Sequence, residues 1–326
     1  MTTTARACWL TAPGVSEIRP IAVPEPGAGE VLVRTVRSGV SRGTETLVFR
    51  GAVPPGQYDA MRAPFQEGEF PGPVKYGYLN VGVVDAGPPE LLGRTVFTLY
   101  PHQTAFVVPA AAVTVVPHDV PPARAVLAGT AETAVNALWD AAPLIGDRVT
   151  VVGAGMVGCC VGRLLTRFPG MNVTLVDVDP SRAAVADRLG AAFALPADAA
   201  GGQDLVVHAS ATSAGLQLSL DLLAPEATVL DLSWYGDTPV QLFLGGPFHS
   251  GRLAIRASQV GMVSSARRGR RSTADRLALA LELLRDNAFD ALISGESTFQ
   301  ELPGVLERLS SGKLKALCHV ITYGEE

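Results

Sequence analysis

The chain changes texture about a third of the way along. Up to about residue 120 its apolar residues fall in short β-branched runs: Glu30–Val36 (EVLVRTV), Val81–Ala86 (VGVVDA), Arg94–Leu99 (RTVFTL), Thr104–Pro109 (TAFVVP) and Val113–Pro117 (VTVVP). Glycine and proline clusters separate them, which predicts an antiparallel, barrel-like β domain. The proline-rich stretch Pro117–Ala123 (PHDVPPA) marks its end. Ala131–Ala142 then has helical character, and apolar runs alternate with helical segments: Arg148–Val152, Asn172–Val178, Asp204–Ser210, Thr228–Ser233 and Leu253–Ser258. Strands buried on both faces read as continuous apolar runs, so the alternation predicts a doubly wound parallel sheet. After Gly261 come a basic loop, a helix over Thr273–Asp286, a second helix ending near Gly312 and a last strand, ALCHVITY.

Length and charge narrow this picture. A chain of 326 residues accommodates two domains of roughly 150 residues each. With 48% hydrophobic and 17% charged residues it is globular rather than disordered. A net charge of −5 gives no electrostatic case for nucleic acid or an anionic membrane as partner. No apolar run approaches the ~18 residues of a spanning helix, and MTTTARACWL lacks the apolar core of a signal peptide. A cytoplasmic protein acting on a small molecule is the expectation. Cys8, Cys159, Cys160 and Cys318 lack the spacing of a zinc site or a disulfide framework and read as buried free thiols.

The sharpest motif is VVGAGMVG. It places Gly153, Gly155 and Gly158 as G-x-G-x-x-G directly after a strand and at the start of a helix. The first glycine allows the tight turn, the second the close approach of a pyrophosphate, the third the packing of helix on sheet. Amides around Met156 and Val157 would then face phosphate oxygens, favoured by the helix dipole. Asp177 follows 19 residues after Gly158, at the end of the next strand. An acidic group there accepts hydrogen bonds from ribose hydroxyls and repels a 2′-phosphate, which predicts NAD over NADP. Asp179 reads as the cap of a helix begun at Pro180.

The order of domains, with GVSRGTE, KYGYLNVGVV, AETAVNAL, VVGAGMVG, LVDVDPSR and IRASQVG, resembles the medium-chain dehydrogenase/reductase superfamily over essentially the whole chain. Within it the chain looks like the zinc-binding alcohol dehydrogenase branch that includes bacteriochlorophyllide a dehydrogenase. The resemblance implies an α/β protein. A GroES-like β-barrel catalytic domain would span 1–120 and 259–326, and a doubly wound Rossmann NAD domain 121–258. It also implies a homodimer. By the same resemblance Thr133 lies beside the nicotinamide, Arg182 contacts the adenosine ribose, Ser233 and Trp234 meet the carboxamide, and Ser258 to Gly261 close over it.

Zinc members of that superfamily hold the metal with a Cys in the segment matched by Ser38–Glu45, a His in a G-H-E, and a third ligand. Here Ser41, Tyr78 of Gly77-Tyr78-Leu79, and Gly129 occupy those positions. Catalytic zinc takes three protein ligands from thiolate, imidazole and carboxylate, so the resemblance predicts a vacated metal corner and no metal. The candidates for proton handling are then Tyr78, Thr44, His102 and Glu132, each with a structural alternative: core tyrosine, turn threonine, loop histidine, helix N-terminal acid. His249 is a weaker candidate. The basic run Arg267, Arg268, Arg270 and Arg271 could hold an anion or simply be solvated. The leading expectation is a zinc-independent NAD-dependent oxidoreductase acting on a small secondary alcohol or ketone, in secondary or cofactor metabolism. An ene or quinone reductase, and a non-catalytic NAD-binding sensor or scaffold, stay open beside it.

Overall fold

The computed structural model describes residues 3–324. The chain divides into two compact units. The first comprises residues up to Gly129 together with Leu281–Arg285 and the chain from Ile293; the second comprises Thr130–Ala280 and Asp286–Leu292. The boundaries expected near 120 and 259 therefore lie elsewhere, and residues 1–2 and 325–326 of the expected first domain fall outside the described residues. The segment after 259 stays with the second unit because Arg276 fastens it there. That guanidinium, 2% exposed, bonds Glu132 Oε1 at 3.0 Å, Asn136 Oδ1 at 2.6 Å and the carbonyls of Val260 and Met262. Arg163 similarly retains Asp286 through an ion pair of 2.5 Å.

In the first unit the dominant strand is β1 (Glu30–Ser41). It pairs antiparallel with β2 (Asn80–Ala86), with Ala105–Pro109 and with the C-terminal strand Cys318–Thr322. Ile293–Thr298 joins the far edge in parallel, and Thr95–Thr98 and Thr114–Val115 complete the seven-stranded sheet. Alternate residues of β1, Val31 and Val33, point into a core with Val84, Val96, Phe106 and Val108. A second sheet is built on a hairpin of Thr3–Ala12 and Val15–Val23. The β-run reading misses this hairpin, because Arg, Glu and Pro interrupt its alternation and its second strand is mostly exposed or half-buried.

The stretch SGVSRGTE is not a turn between strands. Ser38 to Ser41 finish β1, and Arg42 begins helix α1 (Arg42–Phe49). Glu45 in the first helical turn reaches back to accept the Ser41 N–H at 2.7 Å, which satisfies a donor that a helix start leaves open.

The second unit opens with α2 (Ala128–Ala141), whose first two residues belong to the first unit. There follow β3 (Arg148–Val152), α3 (Met156–Leu165), β4 (Asn172–Val176), β5 (Gln203–His208), α4 (Ser213–Asp221), β6 (Leu223–Asp231), β7 (Ala254–Ala257) and α5 (Thr273–Leu283). The sheet is wholly parallel, in the order Ala192–Ala194, β4, β3, β5, β6, β7. Strand order thus reverses at β3, the place where doubly wound sheets bind ligands beyond their carboxyl ends. Val152, Val176, Val206 and Val229 from four neighbouring strands pack with Leu216 and Leu220 of α4 as the core on one face.

Candidate functional site

In the first unit the end of β1, the start of α1, the loop between Thr95–Thr98 and Ala105–Pro109, and Tyr323 just after the C-terminal strand bring together a chain of polar groups. Glu45, His102 and Ser38 are 3%, 2% and 1% exposed. Glu45 Oε2 lies 2.9 Å from His102 Nε2, His102 Nδ1 2.7 Å from Ser38 Oγ, and Ser38 Oγ 2.9 Å from the Tyr323 hydroxyl. Burial pushes the Tyr323 phenol up, so it keeps its proton and donates. One direction then satisfies every atom: Tyr323 donates to Ser38, Ser38 to Nδ1, and Nε2–H to Glu45. His102 reaches this position because residue 77 is glycine. At φ +118, a Cβ there would lie 2.7 Å from the imidazole.

Tyr78 adjoins this chain. The nearby hydroxyls of Ser41 and Thr44 favour its ionised form. Burial first, then the Glu45 charge, outweigh them and raise its pKa. Tyr78 therefore keeps its proton until a strongly basic oxygen arrives. Tyr58, Phe70, Tyr76 and Tyr78 form a row of rings with successive centroids 5.7, 5.7 and 6.2 Å apart. Tyr78, Thr44 and His102 are thus gathered around Glu45, a residue the sequence reading passed over. A four-residue offset from Ser41, with the glutamate in a first helical turn, was the available signal.

Glu132 is committed elsewhere. Its carboxylate is buried in the ion pair with Arg276 within the second unit, and burial raises its pKa against the pull of that arginine. Gly129 faces apolar side chains: a Cβ there would meet Leu79, Leu99 and Phe97. Hydroxyl, phenol and hydrogen at positions 41, 78 and 129 are not a zinc donor set. Among the described residues no group of three or more His, Cys, Asp or Glu side chains could hold a metal ion. None of the four cysteines is in a disulfide and all four are buried, and burial pushes the Cys8, Cys159 and Cys318 thiols up to about 12, so they stay protonated. No helix among the described residues is long and apolar enough to cross a membrane. His249 and the arginines at 267, 268, 270 and 271 are exposed.

The second unit carries the dinucleotide loop between β3 and α3. Gly153 has φ +107, and a Cβ on it would strike the backbone of Ala209 and Ser210 at 2.7 Å. A Cβ on Gly158 would lie 1.9 Å from the Gly153 carbonyl, whereas one on Gly155 would meet nothing within 4 Å. The loop is therefore closed on its protein side and open at Gly155, as a bound pyrophosphate requires. Met156 and Val157 open α3. Asp177 Oδ2 accepts the Ala154 N–H at 2.8 Å and Oδ1 the Asp179 N–H at 2.9 Å, each oxygen keeping a lone pair. Asp179 caps Ser181, and Arg182 lies 3.9 Å from Asp179. Ser258 donates to Asp140 at 2.6 Å, and the Ser233 N–H donates to Asp231 at 2.9 Å. Thr133 on α2 and Trp234 beyond β6 are half-buried. These residues fit a nicotinamide dinucleotide.

No family model matches the chain, and no curated protein matches it in sequence. Solved structures do share its fold. L-idonate 5-dehydrogenase of Escherichia coli K-12 superposes with a TM-score of 0.80 over 99% of each chain at 15% identity. The NADH complex of the short chain alcohol dehydrogenase rspB from E. coli CFT073 gives 0.77 at 17% identity, covering 98% of this chain and 99% of that one. A Sinorhizobium meliloti 1021 protein bound to NADP gives 0.78 at 16%, with the same coverage. The fold is therefore a GroES-like β domain with a Rossmann domain.

Proposed function

We propose that the protein is an NAD-dependent oxidoreductase that works without zinc on a small alcohol or carbonyl compound. The observation that carries the reading is the grouping of Tyr78 with Ser41, Thr44 and Glu45 at the corner where zinc-binding relatives of this fold hold their metal. The dinucleotide loop supports the cofactor, and the two remaining lone pairs of Asp177 favour ribose hydroxyls over a 2′-phosphate. When bound, a nicotinamide supplies hydride chemistry. The chain's own part is proton handling. Tyr78 donates to the oxygen of a carbonyl undergoing reduction, an alkoxide being far more basic than even a buried phenolate. Ser41 and Thr44 stabilise the phenolate left behind, and the Glu45–His102–Ser38–Tyr323 chain fixes the carboxylate beside it. In the oxidative direction the same phenol takes the proton back.

The aromatic row ending at Tyr78 supports a second reading, reduction of a flat conjugated enone or quinone, which needs less Lewis-acid help. The edge strand β7, with all four residues exposed, supports a homodimer. The test is NADH oxidation with a panel of ketones, enones and quinones, before and after EDTA, with zinc measured by elemental analysis. Turnover untouched by EDTA in protein without stoichiometric zinc is expected. One zinc per chain whose removal abolishes turnover would overturn the metal-free mechanism. Tight NADH binding with no turnover on any substrate would favour a sensor.

A further inference from the structure

His319 is a buried imidazole outside the polar corner, with one nitrogen unsatisfied among the described residues. It lies on the C-terminal strand of the first unit, Cys318–Thr322, and is 4% exposed. Its Nε2 is 3.0 Å from Ser297 Oγ. Its Nδ1 is the atom without a hydrogen-bond partner. That nitrogen lies against Gly295, where a Cβ would come within 2.6 Å of it. Ser297 and Gly295 belong to the neighbouring strand Ile293–Thr298, which pairs in parallel with the C-terminal strand.

Protonation is costly here whichever tautomer the neutral ring adopts. An imidazolium carries a proton on both nitrogens. Ser297 can accept the one on Nε2, but the one on Nδ1 finds Gly295 beside it and no acceptor among the described residues. A buried N–H left unmet is tolerated less well than a buried lone pair left unmet. The charged side chains around the ring do not reverse this. Arg308, on the helix Leu302–Ser310, opposes a second positive charge. Glu301 and Glu296 favour it, but Glu301 is engaged by the Thr298 amide and hydroxyl at 2.8 and 2.9 Å, and Glu296 lies 3.7 Å from Arg37 of β1. Burial first and Arg308 second hold the imidazole pKa below its ordinary value.

The neighbouring strand is also lightly held. Ile293–Thr298 is the outer strand of the seven-stranded sheet and has a single strand ladder. That ladder is irregular beside His319: its register shifts between Ile293 and Gly295, and Ser294 Oγ accepts the Leu317 N–H at 2.7 Å in place of a backbone carbonyl. The same strand is the first element after the chain returns from the second unit at Leu292. We propose that His319 makes this outer strand an acid-released latch: on protonation Ile293–Thr298 leaves the C-terminal strand and the ring reaches water, while the ladder between the C-terminal strand and β1 stays closed. The closed strand keeps its full advantage above about pH 6.5, the value of a solvated imidazole, and loses it as pH falls through the lower folded value.

Hydrogen exchange of the whole protein, read by mass spectrometry as protection factors, tests this between about pH 7.5 and about pH 5.5. Over that interval the Glu301 carboxyl, held low by its hydrogen bonds from Thr298, stays ionised. Protection of residues 293–298 should fall severalfold, up to the roughly tenfold that a single proton contributes one pH unit below its solvated value. The amides of Glu30–Ser41 should keep theirs. His319→Gln retains a hydrogen-bonding side chain that does not titrate and should show no fall. Arg308→Gln removes the opposing charge, leaves the imidazole in place and should show a smaller fall than the wild type; it covers the case of a glutamine that loosens the strand at both pH values. Imidazole NMR gives an independent reading, because the resonance missing from His319→Gln should titrate below about 6.5. Equal wild-type protection at both pH values, an undiminished fall in His319→Gln, or titration of His319 at or above that value would overturn the proposal.

Discussion

The two units each contain a histidine wired to a carboxylate on one nitrogen and a serine on the other, and they use it differently. In the first, Glu45, His102, Ser38 and Tyr323 form a sequence in which every hydrogen-bonding atom between the ends is engaged within the protein. It meets the proposed chemistry only through the charge of Glu45 on Tyr78. In the second, Asp231 and His208 end at the half-buried hydroxyl of Ser210, whose backbone packs against the glycine loop. The same three functional groups are sealed within the protein in the first unit and reach a half-buried hydroxyl in the second.

Breaking the sealed set should have the largest effect. Glu45→Ala strips a partner from a buried histidine and from the Ser41 amide, so the first unit should lose about 3–5 kcal/mol, the range for half-removed buried pairs. Chemical denaturation measures this, and a loss below about 1 kcal/mol would mean that water replaces the carboxylate. Tyr78→Phe comes next and sharpens the division between chemistry and binding. Turnover should fall by about 10²-fold or more while NADH affinity is unchanged, the scale for a lost general acid or oxyanion donor. A fully active variant would return Tyr78 to the core and leave His102 as the proton handler.

Asp177→Ser tests the binding side. It should narrow the preference for NADH over NADPH by ~1–3 kcal/mol, as for a lost charged hydrogen bond, read from paired fluorescence titrations. An unchanged ratio would detach cofactor choice from this carboxylate. The smallest effect belongs to an ion pair outside both sets. Hydrogen bonds from Arg148, together with its charge, hold the Asp204 carboxyl at about 2. A carboxylate depressed in the folded state stabilises it above the unfolded value of about 3.9 and ceases to as pH falls through about 2. Asp204→Asn should therefore lower Tm slightly at pH 7, with the gap closing between about pH 4 and pH 2. A gap that persists at pH 2 would indicate lost packing.

The dinucleotide loop was legible because its chemistry is local: three glycines at fixed spacing after an apolar strand, then an acid at the end of the next. Gly158 is constrained by Gly153 and Val151 within the motif's own elements, whereas Gly153 is constrained by the Ala209–Ser210 backbone of another strand end. The polar corner was legible by halves. Tyr78, Thr44 and His102 could be picked out as residues able to handle a proton. Glu45 could not, since its role depends on a helix starting at Arg42 that the small polar residues around it do not announce. Glu132 shows the converse, being an acid in a promising place whose partner, Arg276, lies 144 residues away.

By itself the sequence determined the two textures, the order of the domains, the cofactor loop and the absence of a thiolate–imidazole donor set at the matched positions. Each follows from residue type and spacing over fewer than about ten residues, or from a comparison made position by position. Only the tertiary structure decided which polar groups share a proton. Ser38 meets His102 and Tyr323 across 64 and 285 residues, and His208 meets Asp231 because two parallel strands end in register. The unit boundaries were decided in the same way, by a buried Arg276 that ties residues 259–280 to the second unit. A hydrogen bond is satisfied by whatever lies 3 Å away in space, and only the packed backbone fixes those neighbours.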